Sequence, residues 1–318
     1  MTRMMRDLVQ VQGDFKPSVQ LPKDFLDEEL NCHFVKSYIP TQETLEIFLS
    51  IRDSLQPHSG QRARLFSSTF GTGKSDLMLM IANYITRSSE DPLLAPFFKR
   101  LRNLNDAKAE AIYQARQGKP PFLLVLLQAD TAITFSSFVL DGLAQSLEKA
   151  NLSHLLGNTY YKAALDLIET WEREQPDNIN RLSRVLEMNY GRTLNQLKHD
   201  LSGPHGDTAL DVFRPAVQKA MVMPFHPTAV IQRPADAFSD VTKQLAISQY
   251  SGIFVIVDEF THLLQKLADS PTAADSKAID NLAEAADRSG HHQLHFYTVS
   301  LQSFASAQGS TKSSQIAL

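Results

Sequence analysis

Cysteine is nearly missing from this chain: Cys32 is the single one in 318 residues. That excludes an internal disulfide framework and argues against a zinc site built on thiolates. Long apolar runs are missing too. Phe122 to Leu127 and Ile253 to Val257 are among the longest, and both are far too short to span a bilayer. The first twelve residues carry Arg3 and Arg6 but no apolar core of a signal peptide. A strong charge of either sign is absent as well. The formal net charge of −4 gives no global attraction to nucleic acid or anionic lipid, so such contact needs a local patch. What remains is the composition of a soluble, cytoplasmic protein with no membrane partner. A hydrophobic content of 43% is enough for a sizeable core.

The most informative stretch is Ser68-Thr69-Phe70-Gly71-Thr72-Gly73-Lys74-Ser75. A phosphate-binding loop requires Gly, four residues, then Gly-Lys-Ser/Thr. The second half is intact, while Ser68 stands at the first glycine. Gly71 and Gly73 allow a tight turn whose N–H groups point at phosphate oxygens, with Thr72 and Asp76 flanking the cradle. Lys74 reaches the β- and γ-phosphates and Ser75 places its hydroxyl on Mg²⁺. Arg64-Leu65-Phe66 before the loop reads as a strand. Asp76 to Ile85 after it has apolar residues at helical spacing.

Upstream, residues 1–36 read as an extended arm with one short helical piece. Thr41 is the expected N-cap of a helix carrying Leu45, Phe48, Leu49 and Leu55. Downstream, Phe97 to Gln117 reads as one helix. It holds Lys99, Arg100, Arg102, Lys108 and Arg116, the most basic stretch of the chain, and it reads as a solvated face or a contact to nucleic acid or a neighbouring subunit. Gly118-Lys119-Pro120-Pro121 breaks the chain before Phe122 to Leu127, whose unbroken apolar character suits a buried parallel strand. Gln128, Ala129 and Asp130 then fall at its C-terminal end, where open α/β sheets bind ligands. Residues 131–235 read as a helical insertion, too long for a simple crossover.

Ile253-Phe254-Val255-Ile256-Val257-Asp258-Glu259 is the second motif, a hydrophobic strand ending in two carboxylates. Asp258 is placed to hold Mg²⁺ with Ser75, and Glu259 to orient the attacking water. The next strand, Leu294 to Ser300, offers Ser300 and Gln302 at its tip, and less so Thr298, as candidate contacts to the terminal phosphate. His291, His292 and His295 cluster without metal-ligand spacing. No strand is expected in the Ser-, Ala- and Gln-rich tail.

Together these residues resemble the P-loop ATPases with an extra strand between the two motifs, which include the AAA+ and STAND ATPases. The resemblance implies ATP and Mg²⁺ as cofactors, Glu259 as catalytic glutamate, and self-association or a larger complex. Tyr38-Ile39-Pro40-Thr41 is similar to the adenine-side segment of AAA+ initiator-like ATPases. Phe70 to Ser75 with Val257 to Phe260 also resembles the large ATPase subunits of bacterial phage-defence systems of the BREX type. The expected fold is α/β, a P-loop NTPase parallel sheet with flanking helices. An N-terminal arm and helix cover 1–58 and an ATPase core covers 59–318. Neither an arginine-finger segment nor a helical lid is legible, as expected if those parts were cut away or if this is the N-terminal piece of a larger protein.

Overall fold

The computed structural model describes residues 19–68, 73–128, 134–203, 205–225, 233–245, 247–269, 273–301 and 315–317. Five strands form one sheet: β1 (Ala63–Ser68), β2 (Leu123–Gln128), β3 (Gly252–Asp258), β4 (Gln293–Leu301) and β5 (Gln315–Ala317). Their order is β2-β3-β4-β1-β5 and every neighbouring pair is parallel. The protein is therefore α/β, and β4 lies between β1 and β3. Among the described residues no helix is long and apolar enough to cross a membrane.

Both faces of the sheet are covered, which explains why β2 and β3 read as continuous apolar runs. Phe254 and Ile256 of β3, Tyr297 and Val299 of β4 and Phe66 of β1 face one side. There they meet α3 (Gln42–Ser54), α4 (Lys74–Thr86), α5 (Ala95–Leu104) and α6 (Asp106–Arg116) through Phe48, Ile81, Phe97, Leu101 and Ile112. The alternate residues Ile253, Val255 and Val257 face the other side. They pack on α7 (Phe135–Lys149), α12 (Pro234–Leu245), α13 (Phe260–Asp269) and α14 (Ala273–Asp287). Burying each large apolar side chain in these layers contributes about 1.5–3 kcal/mol.

Between α7 and α12 the chain forms α8 (Gly157–Glu174), α9 (Pro176–Tyr190), α10 (Leu194–Leu201) and α11 (Gly206–Met221). These four have a core of their own, built on Ile168, Leu182, Leu186, Leu197, Leu210 and Phe213, whereas α7 and α12 belong to the sheet's second face. Two glycines fit this module to one ring: a Cβ on Gly157 or Gly206 would lie 2.8 Å or 2.5 Å from Tyr161.

Three local expectations are corrected. The region before Tyr38 holds two helices, α1 (Leu21–Leu26) and α2 (Glu28–Ser37). Pro22 opens the first, and the Asp27 carboxylate caps the second by accepting the Leu30 N–H at 3.1 Å. The stretch from Phe97 to Gln117 is two helices rather than one. Asn105 adopts extended backbone (φ −161°), and its side chain caps α6 by accepting the Lys108 N–H at 3.0 Å. The tail does contain a strand: β5 pairs with β1, Phe66 opposite Ile316. Three residues with one large apolar side chain are too few to show a period.

The basic stretch is largely tied down. Arg100 donates to the Lys36 and Tyr38 carbonyls, Arg102 pairs with Glu110, and Lys108 pairs with Glu46. Arg116 is buried, donates to the Ile85 and Pro120 carbonyls and lies 5.2 Å from the Phe122 ring centre; burial pulls its pKa down to about 10. Lys99 remains exposed.

Candidate functional site

The C-terminal edge of the parallel sheet brings the two motifs together. β1 ends at Ser68, β3 at Asp258 and β2 at Gln128, and Gln128 is in register with Asp258. Gly71, Thr72, Gln302 and Asp130 lie outside the described residues.

Helix α4 starts immediately after Gly73, which serves as its N-cap with φ +75°. A side chain is strained in that conformation, which is the physical need for glycine here. The first turn of such a helix leaves N–H groups without intrahelical partners, and its dipole favours an anion. The turn carries Lys74, Ser75 and Asp76. Burial lowers the Lys74 ammonium pKa, and the Asp258 carboxylate opposes that shift. Asp76 is partly buried and its pKa is raised by burial. It acts electrostatically on Tyr38, whose phenol is pushed up to about 12, mainly by burial. Ile39, next to Tyr38, is 76% exposed, an apolar side chain open to solvent.

Ser75 and Asp258 meet across 183 residues of sequence: Ser75 Oγ donates to Asp258 Oδ2 at 3.1 Å. Asp258 is 6% exposed. Its other oxygen, Oδ1, accepts the Glu259 N–H at 2.9 Å. Burial nevertheless dominates and raises its pKa, so these bonds and Lys74 compensate its charge only in part. A hydroxyl and a buried, under-compensated carboxylate form a hard oxygen donor set, the kind that suits Mg²⁺.

Glu259 is exposed at the tip of β3 and has φ +54°. A non-glycine residue held there costs roughly 1–3 kcal/mol, and such strain concentrates at functional positions. Gln128 Nε2 donates to Glu259 Oε2 at 3.3 Å. Ser300, at the end of β4, is buried and shares a 2.8 Å hydrogen bond with the Thr261 hydroxyl. It also lies in register with Ser67 of β1.

Gln128 stands out in the sequence as a polar residue ending an apolar strand, a pattern that puts it at the sheet edge and gives it no role. Thr261 carried no signal, since a threonine in the first turn of a helix is ordinary. His295 lies away from this edge, fully buried and stacked on Phe254 (centroids 4.6 Å, planes 9° apart). His291 and His292 are exposed, and His291 makes an edge contact with His58. No protein-family model matches this chain, and no curated protein or solved structure matches it.

Proposed function

We propose that this chain is an ATP-binding and ATP-hydrolysing module of the P-loop class, whose turnover drives conformational change in a larger assembly. One observation carries the reading. A Gly-Lys-Ser turn opening a helix is joined by a Ser75–Asp258 hydrogen bond to the acidic tip of a parallel strand two places away in the sheet. The interposed β4 supports it, because an extra strand between the two motifs is what the AAA+ and STAND resemblance implies.

In this reading Lys74 neutralises charge on the β- and γ-phosphates. Ser75 and Asp258 would hold Mg²⁺, which would supply further charge neutralisation on the phosphates. Glu259 orients and polarises the attacking water. The Tyr38 to Thr41 segment lies on the adenine side. The assembly would be of the phage-defence kind named by the narrower resemblance, with other copies or subunits as partners.

Calorimetry with Mg-ATP tests the site. Lys74→Ala should abolish binding, and an unchanged affinity would overturn the loop assignment. Glu259→Gln should bind nucleotide and lose turnover by about 100-fold or more; equal rates would remove Glu259 from the reaction.

A second reading is a nucleotide-gated scaffold that binds ATP with little turnover. It is favoured by the Gln128 bond, which engages the Glu259 carboxylate. Measuring hydrolysis against protein concentration, with and without DNA, separates the two. Activity rising with concentration indicates sites completed between copies.

A further inference from the structure

A single residue joins β3 to α13. Asp258 ends the strand, Phe260 begins the helix, and Glu259 between them makes the turn with φ +54°. The local bonds around it, Glu259 N–H to Asp258 Oδ1 and His262 N–H to the Glu259 carbonyl, both at 2.9 Å, stay within the segment. Two buried side chains, Phe260 and Leu263, seat the helix on the sheet's second face. They set its depth and which face it turns inward. A directional tie does reach out of the segment. Thr261 Oγ1 and Ser300 Oγ lie 2.8 Å apart, 39 residues distant in sequence, each 2% exposed.

We propose that Thr261 is a positioning residue for Glu259. Through its bond to Ser300 it refines the rotation of the α13 first turn. That rotation holds the left-handed turn aiming the Glu259 carboxylate along the C-terminal edge. Ser300 is in register with Ser67 of β1, so the same tie references the carboxylate to the strand that carries the Gly-Lys-Ser turn. The inference rests on the ATPase reading and adds a residue that acts on the base without touching nucleotide. Its chemical content is specific: what matters is a hydroxyl at 261, not the bulk of the side chain.

Thr261→Val keeps the shape and removes the bond; Thr261→Ser keeps the bond. Mg-ATP affinity, steady-state turnover and thermal melting are measured for the unmodified chain, both variants, Ser300→Ala and the double variant Thr261→Val/Ser300→Ala. Thr261→Val should lower kcat roughly 10- to 100-fold, as expected for a misplaced reactive group. Its Mg-ATP affinity should stay within about twofold and Thr261→Ser should recover most of the rate. The double variant should be no slower than Thr261→Val, because the two side chains act as one unit. The inference is overturned if Thr261→Val turns over at the unmodified rate. It is also overturned if Thr261→Ser is as slow as Thr261→Val, or if kcat falls only in step with melting temperature and affinity. An unmodified chain that binds Mg-ATP without turnover overturns it while leaving the nucleotide site standing. An unmodified chain that does not bind Mg-ATP overturns the ATPase reading itself, and this inference with it.

Discussion

The side-chain amide of Gln128 donates to Glu259 Oε2 at 3.3 Å, bridging the tips of β2 and β3. Since Gln128 is in register with Asp258, the residue beside the glutamate, its side chain spans to the next strand position along the edge. The amide both orients the carboxylate and occupies one of its oxygens. Gln128→Ala is therefore expected to change turnover, by roughly threefold to tenfold in either direction, with Mg-ATP affinity unchanged. An increase identifies the bond as restraining, a decrease as positioning. A change confined to affinity would detach Gln128 from Glu259 altogether.

His295 gives a prediction about pH. It is fully buried, Nε2 lies 3.1 Å from Gln293 Oε1, and Nδ1 has no hydrogen-bond partner among the described residues. Burial, with Arg62 and Arg64 nearby, pushes its pKa well below the ordinary value of about 6.5. The folded ring therefore stays neutral where the unfolded one binds a proton. Stability from this group is complete above about pH 6.5 and falls by roughly 1.4 kcal/mol per pH unit below it, until the folded pKa is reached. His295→Phe keeps the stack on Phe254 and removes the proton site. Urea unfolding at pH 7.5 and pH 5 should show a smaller loss for the variant, by about 1–2 kcal/mol. An equal loss in both proteins would place the acid sensitivity elsewhere.

Gly252 opens β3 with φ +149°, and a Cβ there would lie 2.1 Å from the Gln293 carbonyl oxygen. That neighbour is backbone of the adjacent strand and in register with Gly252, so it moves only if the β3–β4 ladder shifts. Gly252→Ala is expected to lower stability by about 3 kcal/mol or more. Unfolding measured by circular dichroism checks it; a loss under about 1 kcal/mol would mean that the ladder accommodates the methyl group.

Strands β2 and β3 were legible because parallel strands buried on both faces leave short unbroken apolar runs. Of the candidate site, the placing of Lys74, Ser75, Asp258 and Glu259 at one sheet edge was legible through spacing that requires particular side chains. Helices α9 and α11 were harder to read. Pro176 reads as a break but occupies the first turn of α9, where its missing N–H costs nothing. Pro215 lies within α11. The Asn105 break and β5 were hidden for the opposite reasons, one a single capping side chain in a helical pattern, the other too short for any pattern. The Thr261–Ser300 and Gln128–Glu259 bonds are pairings across the sheet edge, set by register and rotation, which no local spacing encodes.

Helix α14 is fastened at both ends. Near its start, Asp275 Oδ1 accepts the Phe135 N–H at 2.9 Å, the first residue of α7. At its end, Asp287 Oδ1 accepts the Arg62 and Ala63 N–H groups at 2.7 and 2.8 Å, where β1 begins. From Asp275 to Asp287 the helix rises about 18 Å at 1.5 Å per residue. A six-residue strand such as β2 has nearly the same height, at about 3.3 Å per residue. The helix thus works as a gauge block cut to the depth of the sheet. Its outward side chains are open to exchange, but its length is not. One residue added or removed would swing Asp287 by about 100° around the axis and release the lower fastening.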